Sequence, residues 1–234
     1  MTERPPLLAV LIDADNTSPR AAEAIFTEIA TLGEASVRRL YGDFSSGQLK
    51  GWEKKLAPLA ILPFWQPANT VGKNSSDIAL VIDAMDLLNS GRFDGVCLVS
   101  SDSDFTRLAS RIREEGLDVY GFGERKTPEA FRMACKRFFY VENLGDGPAE
   151  KTAKQGQRKE AASAAVAIVE AAMDRLPDED GWYELGPIGQ QMQANHPDFD
   201  PRTYGSRKLS DLLEKTGAFE VDTKTRPARM RRKG

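Results

Sequence analysis

Aspartates stand at three notable places in the first half of the chain, two of them at the ends of apolar segments and one at the start of a helical pattern. Asp13 closes the segment LLAVLID, Asp102 and Asp104 follow GVCLVSS, and Asp77 follows GKNSS at the start of a helical pattern. Parallel strands bring their carboxyl ends, and therefore such acids, to one edge of a sheet. Oxygen-only clusters of this kind are the ligands that Mg²⁺ and Mn²⁺ prefer. We therefore predict that Asp13, Asp77, Asp102 and Asp104 form a catalytic metal site.

A pair of divalent ions in such a cluster can activate water and stabilise the leaving oxygen during in-line cleavage of a phosphodiester bond. This chemistry needs neither histidine nor cysteine, and the 234 residues include only His196, Cys97 and Cys135. These counts argue against a histidine-rich metal centre, a cysteine zinc site and a disulfide framework, and they favour a cytoplasmic location. We expect His196 to be a structural or surface residue.

Each aspartate also has a structural alternative. An aspartate that follows a strand often caps the next helix, and Asp102 or Asp104 could fill that role. Asp83 and Asp86 follow Asp77 by six and nine positions, which on a helix places them away from the face of Asp77. We predict that these two acids are solvated or structural.

Short apolar runs alternate with helical patterns over the first 145 residues. Runs such as LLAVLI and GVCLVS are apolar almost throughout, which is typical of parallel strands covered on both faces. Strands are predicted at residues 7–13, 36–43, 59–65, 95–101, 117–122 and 137–141. Helices are predicted near residues 19–32, 48–57, 76–89, 105–115 and 128–135. The alternation indicates an α/β fold, an open parallel sheet with helices on both faces.

The second half of the chain has a different organisation. The segment 145–160 has no large apolar residue, and we interpret it as a flexible linker between domains at residues 1–144 and 161–234. Beyond it, AASAAVAIVEAAMDRL, ELGPIGQQMQAN and TYGSRKLSDLLEKTG predict three helices, and FEVDT and ARMRRK predict two short strands. Three short helices followed by a β-ribbon are typical of a small winged-helix domain.

Charge is distributed unevenly along the chain. The net charge of −3 divides into −4 for residues 1–146 and +1 for residues 147–234, and the last eleven residues contain six cations and no acid. A basic end on an acidic protein suggests contact with a polyanion, and the alternative is a tail that aids solubility. No apolar run approaches the ~20 residues that span a bilayer, so we expect no membrane partner.

Three motifs resemble those of a known family. LIDADN (residues 11–16), GKNSSDIALVIDAM (72–85) and LVSSDSDF (98–105) are similar, in order and spacing, to the motifs of the NYN domain, a PIN-like nuclease fold. The likeness is closest to its LabA-like branch and covers residues 7–142. It implies a ribonuclease whose acidic pocket, drawn from the four aspartates above, holds Mg²⁺ or Mn²⁺.

The same resemblance implies four substrate-binding residues. Asn16 matches the asparagine of the first motif, which would hydrogen-bond a phosphate or orient a carboxylate. Lys73 stands at a basic position where it would contact the scissile phosphate. Ser100 and Ser101 stand where the family often has Ser-Gly, so Ser101 would bring a side chain near the pocket.

Residues 182–221 resemble an OST-HTH, or LOTUS, domain, a winged-helix module associated with RNA binding and with protein partners. Aromatic residues of this region, Trp182, Tyr183, Phe199, Tyr204 and Phe219, could stack on bases. Most are expected in the core, and Tyr204 is the stacking candidate. The cations predicted to contact RNA, expected to be single-stranded, are Arg202, Arg207, Lys208, Arg229, Arg231 and Arg232.

Two alternatives remain open at this point. The segment DADNT (13–17) matches the DxDxT of haloacid-dehalogenase-like phosphatases, although no separate strand is left for their serine motif. A non-catalytic RNA-binding or regulatory protein would retain the same four carboxylates. A protein partner of the second domain and a homodimer are further alternatives for the partners of the chain.

Overall fold

The computed structural model describes residues 4–43, 49–65, 75–145 and 159–233. The chain divides into two compact units, residues 1–150 and 151–234. Most of the predicted linker, residues 146–158, lies outside the described residues, as does Lys73. None of the helices in the described part of the chain is both long and apolar enough to cross a membrane.

The first unit is built on a six-stranded parallel sheet. Its strands are β1 (Leu7–Asp13), β2 (Glu34–Gly42), β3 (Leu62–Trp65), β4 (Gly95–Val99), β5 (Asp118–Gly123) and β6 (Arg137–Tyr140). Its helices are α1 (Ala22–Ile29), α2 (Lys50–Leu56), α3 (Ser75–Asn89), α4 (Thr106–Glu114) and α5 (Glu129–Ala134). The predicted α/β class is confirmed. Helix α1 is shorter than predicted, since residues Pro19–Ala21 form a 3-10 turn and the helix ends at Ile29.

Alternate side chains of each strand enter two separate cores. Ala9 and Leu11 of β1 pack with residues of α3, α4 and α5, whereas Leu8, Val10 and Ile12 pack with residues of α1 and α2. Both faces of the sheet are therefore covered, which explains why the central strands β1 and β4 are apolar almost throughout instead of alternating.

The strand order places one crevice at the centre of the sheet. The order is β3-β2-β1-β4-β5-β6. Strands β2 and β3 extend the sheet on one side of β1, and β4, β5 and β6 extend it on the other, so the strand order reverses between β1 and β4. Ligands of open parallel sheets bind outside the carboxyl ends of the strands at such a switch point. Here Ile12 lies opposite Val99, and Asp13 follows Ile12 at that edge.

The second unit is mainly helical. It contains α6 (Val166–Met173), α7 (Leu185–Asn195) and α8 (Leu209–Thr216), and the strands β7 (Tyr183–Glu184), β8 (Phe219–Asp222) and β9 (Arg229–Arg232). The strands form an antiparallel sheet in the order β7-β9-β8. The predicted ribbon is present, and β7 adds a strand that its two residues were too short to reveal. The end of the basic segment is thus an ordered strand with Met230 in the core, not a free tail.

Candidate active site

Asp13 is the most buried member of the predicted cluster, with 1% of its surface exposed. Its Oδ1 accepts hydrogen bonds from the backbone N–H groups of Asp15 and Asn16, at 3.1 and 3.2 Å. Its Oδ2 accepts one from the Ser100 hydroxyl at 2.6 Å. Burial raises the pKa of Asp13, and the hydrogen bonds from Ser100 and Asn16 oppose that rise. The carboxylate is held in place by neutral donors.

Ser100 joins the two strands of the crevice. Because Ile12 pairs with Val99, the next residues, Asp13 and Ser100, are neighbours and point to the face that α3 covers. The Ser100 hydroxyl donates to Asp13 and accepts from the Asp102 N–H at 3.0 Å. It is 1% exposed. The Ser100 hydroxyl, which was predicted to bind substrate, therefore holds the Asp13 carboxylate and the backbone of Asp102.

Asp102 and Asp104 begin the connection to α4. Asp102 is the N-cap of the 3-10 turn Ser103–Phe105, and its Oδ1 accepts from the Asp104 N–H at 2.9 Å. Asp102 therefore does cap this turn, as the structural alternative predicted. One hydrogen bond occupies only part of a carboxylate, which has about four lone-pair sites. Asp104 is exposed, so both residues keep oxygen atoms that are free to contact a ligand.

Asp77 lies in the first turn of α3, and the charges around it change its pKa. Its pKa is raised to about 6, first by burial and then by the negative charges of Asp13, Asp102, Asp15 and Asp104. The four predicted acids therefore form one electrostatic group. Among the described residues, no lysine or arginine forms a salt bridge with any of them.

Asp15 is a fifth acid of this group that the sequence analysis did not assign to the site. It is exposed, and its Oδ2 accepts a hydrogen bond from Ser76 of α3 at 3.2 Å. Asp15 stands two residues after Asp13, in the turn whose N–H groups hydrogen-bond the Asp13 carboxylate. The same turn places Asp15 next to α3. The DxD spacing in LIDADN, which also matches the phosphatase motif, is the sequence signal for this residue.

The donor set suits a hard divalent cation, but the arrangement is open. All five acids offer oxygen, and their mutual repulsion is what a cation would relieve. In the parts of the chain that the structure describes, no three His, Cys, Asp or Glu side chains are grouped so that they could hold a metal ion. The oxygen donors and their negative charges suit Mg²⁺ or Mn²⁺. The side chains would nevertheless have to move closer together to coordinate an ion.

Other predicted residues have different positions. Ser101 does not face Asp13, because its Oγ accepts a hydrogen bond from the Glu124 N–H at 2.8 Å, beyond β5. Asn16 acts on a carboxylate, since its side chain and its N–H both hydrogen-bond Asp13. Asp83 is structural as predicted: it accepts from the Tyr41 hydroxyl and pairs with Arg39 at 2.7 Å.

The second unit corrects two predicted RNA contacts. Tyr204 is 6% exposed and packs against Phe199 in the core, with ring centroids 5.8 Å apart, so its ring has no open face for a base. Arg202 is tied to the buried Asp200, with 2.7 Å between its Nη2 and a carboxylate oxygen. Both residues stabilise the domain.

The remaining cations differ in how firmly they are held. Arg231 pairs with Glu220 at 2.6 Å and Arg232 pairs with Glu170 at 3.3 Å, whereas Arg229 lies 3.5 Å from Asp222. Arg207 and Lys208 are exposed. These two form no salt bridge with a described residue, whereas the other four predicted cations do, so the pair before α8 is available to a phosphate chain.

The hydrogen bonds of Ser100 predict a stability effect. Ser100→Ala leaves the buried Asp13 oxygen and the Asp102 N–H without this partner, which costs about 1–3 kcal/mol. Urea unfolding would measure the loss. Ser103→Ala, which removes an exposed hydroxyl three residues later, should change the free energy of unfolding by less than about 0.5 kcal/mol. Equal stability of Ser100→Ala and the wild type would contradict the assigned role of Ser100.

The pKa of Asp77 predicts a pH effect without divalent ions. Native Asp77 holds its proton up to about pH 6, whereas the unfolded side chain loses it near pH 4. The native state binds more protons in this window, so stability falls as pH rises. Asp77→Asn should therefore be more stable than the wild type at pH 7, by about 1–2 kcal/mol after screening by solvent.

Thermal unfolding in EDTA at pH 4 and pH 7 would test this difference, which should vanish at pH 4. Asp86→Asn, on the same helix but outside the acidic group, serves as the matched control. A destabilised Asp77→Asn at pH 7 would show that the Asp77 charge is compensated in the native state.

Two family models match the chain. Residues 7–142 match the model of the NYN domain, and residues 159–230 match that of the OST-HTH/LOTUS domain. A protein of unknown function from Vibrio parahaemolyticus has a similar crystal structure, with 21% identity and a TM-score of 0.49 over 59% of this chain and 94% of that one.

An uncharacterised protein from Nitrosomonas europaea, solved by NMR, is 29% identical over 38% of this chain and 90% of that one, with a TM-score of 0.27. No curated protein matches the chain. The family models cover both units, and the NYN model alone spans more than half of the sequence. The chain belongs to the NYN domain family, and its NYN domain is followed by an OST-HTH/LOTUS domain.

Proposed function

We propose that the protein is a divalent-metal-dependent ribonuclease whose NYN domain cleaves RNA and whose OST-HTH/LOTUS domain binds it. The observation that carries the proposal is the placement of the acids at the switch point of the sheet, where the Ser100 hydroxyl bonds both Asp13 and the Asp102 N–H. The charges gathered there also help to raise the pKa of Asp77. Crowded acids without a counter-charge destabilise a fold. Their presence together is explained if the natural state of the site includes a cation.

The acids would have unequal roles. Asp13, fixed by three hydrogen bonds, would be the rigid ligand of Mg²⁺ or Mn²⁺, and Asp77, Asp102 and Asp104 would complete the set. The bound ion would supply a nucleophilic water and neutralise charge on the leaving oxygen. Ser100 and Asn16 would keep the Asp13 carboxylate in position through their hydrogen bonds, which also oppose the rise of its pKa. The predicted contact of Lys73 with the scissile phosphate remains part of the proposal.

The second domain would supply affinity for single-stranded RNA. Its support is the OST-HTH/LOTUS match and the exposed cations Arg207 and Lys208. The acids named in the group around Asp77 all belong to the NYN domain. Chemistry and most of the affinity would therefore belong to different domains, in a cytoplasmic protein of the LabA-like branch.

A non-catalytic RNA-binding protein is the second candidate. The open arrangement of the described acids, which forms no ready metal site, favours it. The phosphatase alternative loses its support, because the chain belongs to the NYN family and the hydroxyls of Ser100 and Ser101 are used within the fold.

The proposal predicts loss of cleavage when a carboxylate ligand is neutralised. Asp13→Asn and Asp102→Asn keep the side-chain shape but remove charge, and the cleavage rate of labelled single-stranded RNA with Mn²⁺ or Mg²⁺ should fall ~10²-fold or more. EDTA should abolish cleavage by the wild type, and Asp86→Asn should retain it. RNA binding without cleavage in either metal would support the second candidate, and cleavage undiminished in both variants would exclude the proposed site.

The affinity of the second domain should depend on salt through its exposed cations. Each phosphate neutralised on a single strand contributes a log–log slope of about −0.7. Arg207→Ala and Lys208→Ala should each flatten the slope by up to about 0.7, measured by fluorescence anisotropy in EDTA. Arg92→Ala removes an exposed cation of the first unit, just before β4, and should leave the salt slope unchanged. An unaltered slope in the double variant would remove these two residues from the interface.

A further inference from the structure

The second unit contains a cavity of about 500 Å³ that no part of the proposed nuclease mechanism uses. It lies between the turn that precedes β7 and the connection from β8 to β9. Its wall includes Trp182, Tyr183 and three prolines, together with the cations Arg226 and Arg229 and the acids Glu179 and Glu184. The volume is within the ~300–1,000 Å³ typical of sites for small organic groups.

A tight hairpin fixes Trp182 at this cavity. Glu179 and Trp182 exchange both backbone hydrogen bonds, each at 2.9 Å, around Asp180 and Gly181. These two central residues have φ values of 53° and 78°, as a type I′ turn requires. The hairpin therefore fixes the backbone of Trp182, and its indole is not among the core residues of the unit.

Two guanidinium groups lie over the Trp182 ring. The Cζ atoms of Arg229 and Arg231 are 4.6 and 4.5 Å from its centroid. Arg231 is held by Glu220, but Arg229 has only a 3.5 Å contact with Asp222, and its buried Nε has no hydrogen-bond acceptor among the described residues. Arg229 also lines the cavity. One side of the cavity thus presents a flat, cationic stack of indole and guanidinium.

The chemistry of the wall selects its ligand. Aromatic and guanidinium planes are the surfaces on which unpaired bases stack. The carboxylates of Glu179 and Glu184 repel phosphate but accept hydrogen bonds from the N–H groups of a base edge. Arg226 is exposed on the same wall and can neutralise a phosphate. A proline-rich peptide would use the aromatic residues but would gain little from the exposed cations.

We propose that this cavity binds one unpaired nucleotide of single-stranded RNA. The base stacks on the wall formed by Trp182 and Arg229, and its phosphate contacts Arg226. The inference rests on the proposed RNA-binding function and adds to it a site that reads whether a base is unpaired. It assigns to Trp182 the stacking role that the sequence analysis gave to Tyr204.

The test compares matched substitutions of Trp182 in the full chain. Fluorescence anisotropy with labelled single-stranded RNA is measured in EDTA, so that cleavage plays no part. Trp182→Leu removes the aromatic face and should weaken binding about 5- to 100-fold, the range that loss of one stacked base gives. Trp182→Phe retains a face and should bind within about threefold of the wild type. Neither variant should change affinity for a fully paired RNA duplex of the same length.

Arg226→Ala provides a second line of evidence that does not depend on Trp182 folding. Arg226 is exposed, so its loss should leave the melting temperature unchanged while it weakens single-strand binding and flattens the salt slope by about 0.7. If Trp182→Leu lowers the melting temperature, Arg226→Ala decides the outcome.

The outcomes separate this proposal from the proposed function. Wild-type affinity in Trp182→Leu and Arg226→Ala, with RNA still bound, would overturn the cavity and leave the ribonuclease proposal intact. Saturable binding of a proline-rich peptide by the wild type but not by Trp182→Leu would assign the cavity to a peptide and overturn it as well. Absence of all RNA binding by the wild type would remove both proposals.

Discussion

Burying the Asp13 carboxylate at the carboxyl end of β1 requires three hydrogen-bond donors around it. An ionised carboxylate away from water is costly unless hydrogen bonds replace its hydration. The turn after β1 supplies two backbone N–H groups, and β4 supplies the Ser100 hydroxyl. The register of β1 with β4 has to place Ser100 beside Asp13 for this to work. The central strand pair and the site are therefore one structural unit.

The same requirement brings further acids into the crevice. The turn that satisfies Asp13 carries Asp15 toward α3, and the hydrogen bond from the Asp102 N–H to Ser100 fixes the start of the segment with Asp102 and Asp104. Asp77 then meets four negative charges. Such a group lowers stability in the absence of a cation, which is the usual relation between a functional site and the fold that carries it.

Much of this arrangement could be predicted from the sequence. Uniformly apolar strands and acids at their ends indicated a parallel sheet with a site at one edge, because both follow from local pattern. The choice between Ser100 and Ser101 could not be made. Adjacent residues point to opposite faces of a strand, and only the register with β1 shows that Ser100 faces Asp13 while Ser101 faces Glu124.

The second domain shows the same limit. Its helices and ribbon could be predicted, but the burial of Tyr204 and the pairing of Arg202 with Asp200 depend on tertiary packing. The strand predicted at ARMRRK is present and the alternative of a free tail does not hold from residue 229 onward, because Met230 anchors β9 in the core and its neighbouring arginines contact Trp182, Glu220 and Glu170. Alternation along β9 then leaves Arg229 and Arg231 on one face.

Direct observation of the cation would test the central claim most simply. Crystals of the wild-type chain grown without chelator and soaked in Mn²⁺ would be measured for anomalous scattering, with Asp13→Asn crystals treated in the same way. The account predicts an anomalous peak within coordination distance of Asp13 and at least one of Asp77, Asp102 and Asp104, absent in the variant. Wild-type crystals that show no peak at these acids under saturating Mn²⁺ would contradict it.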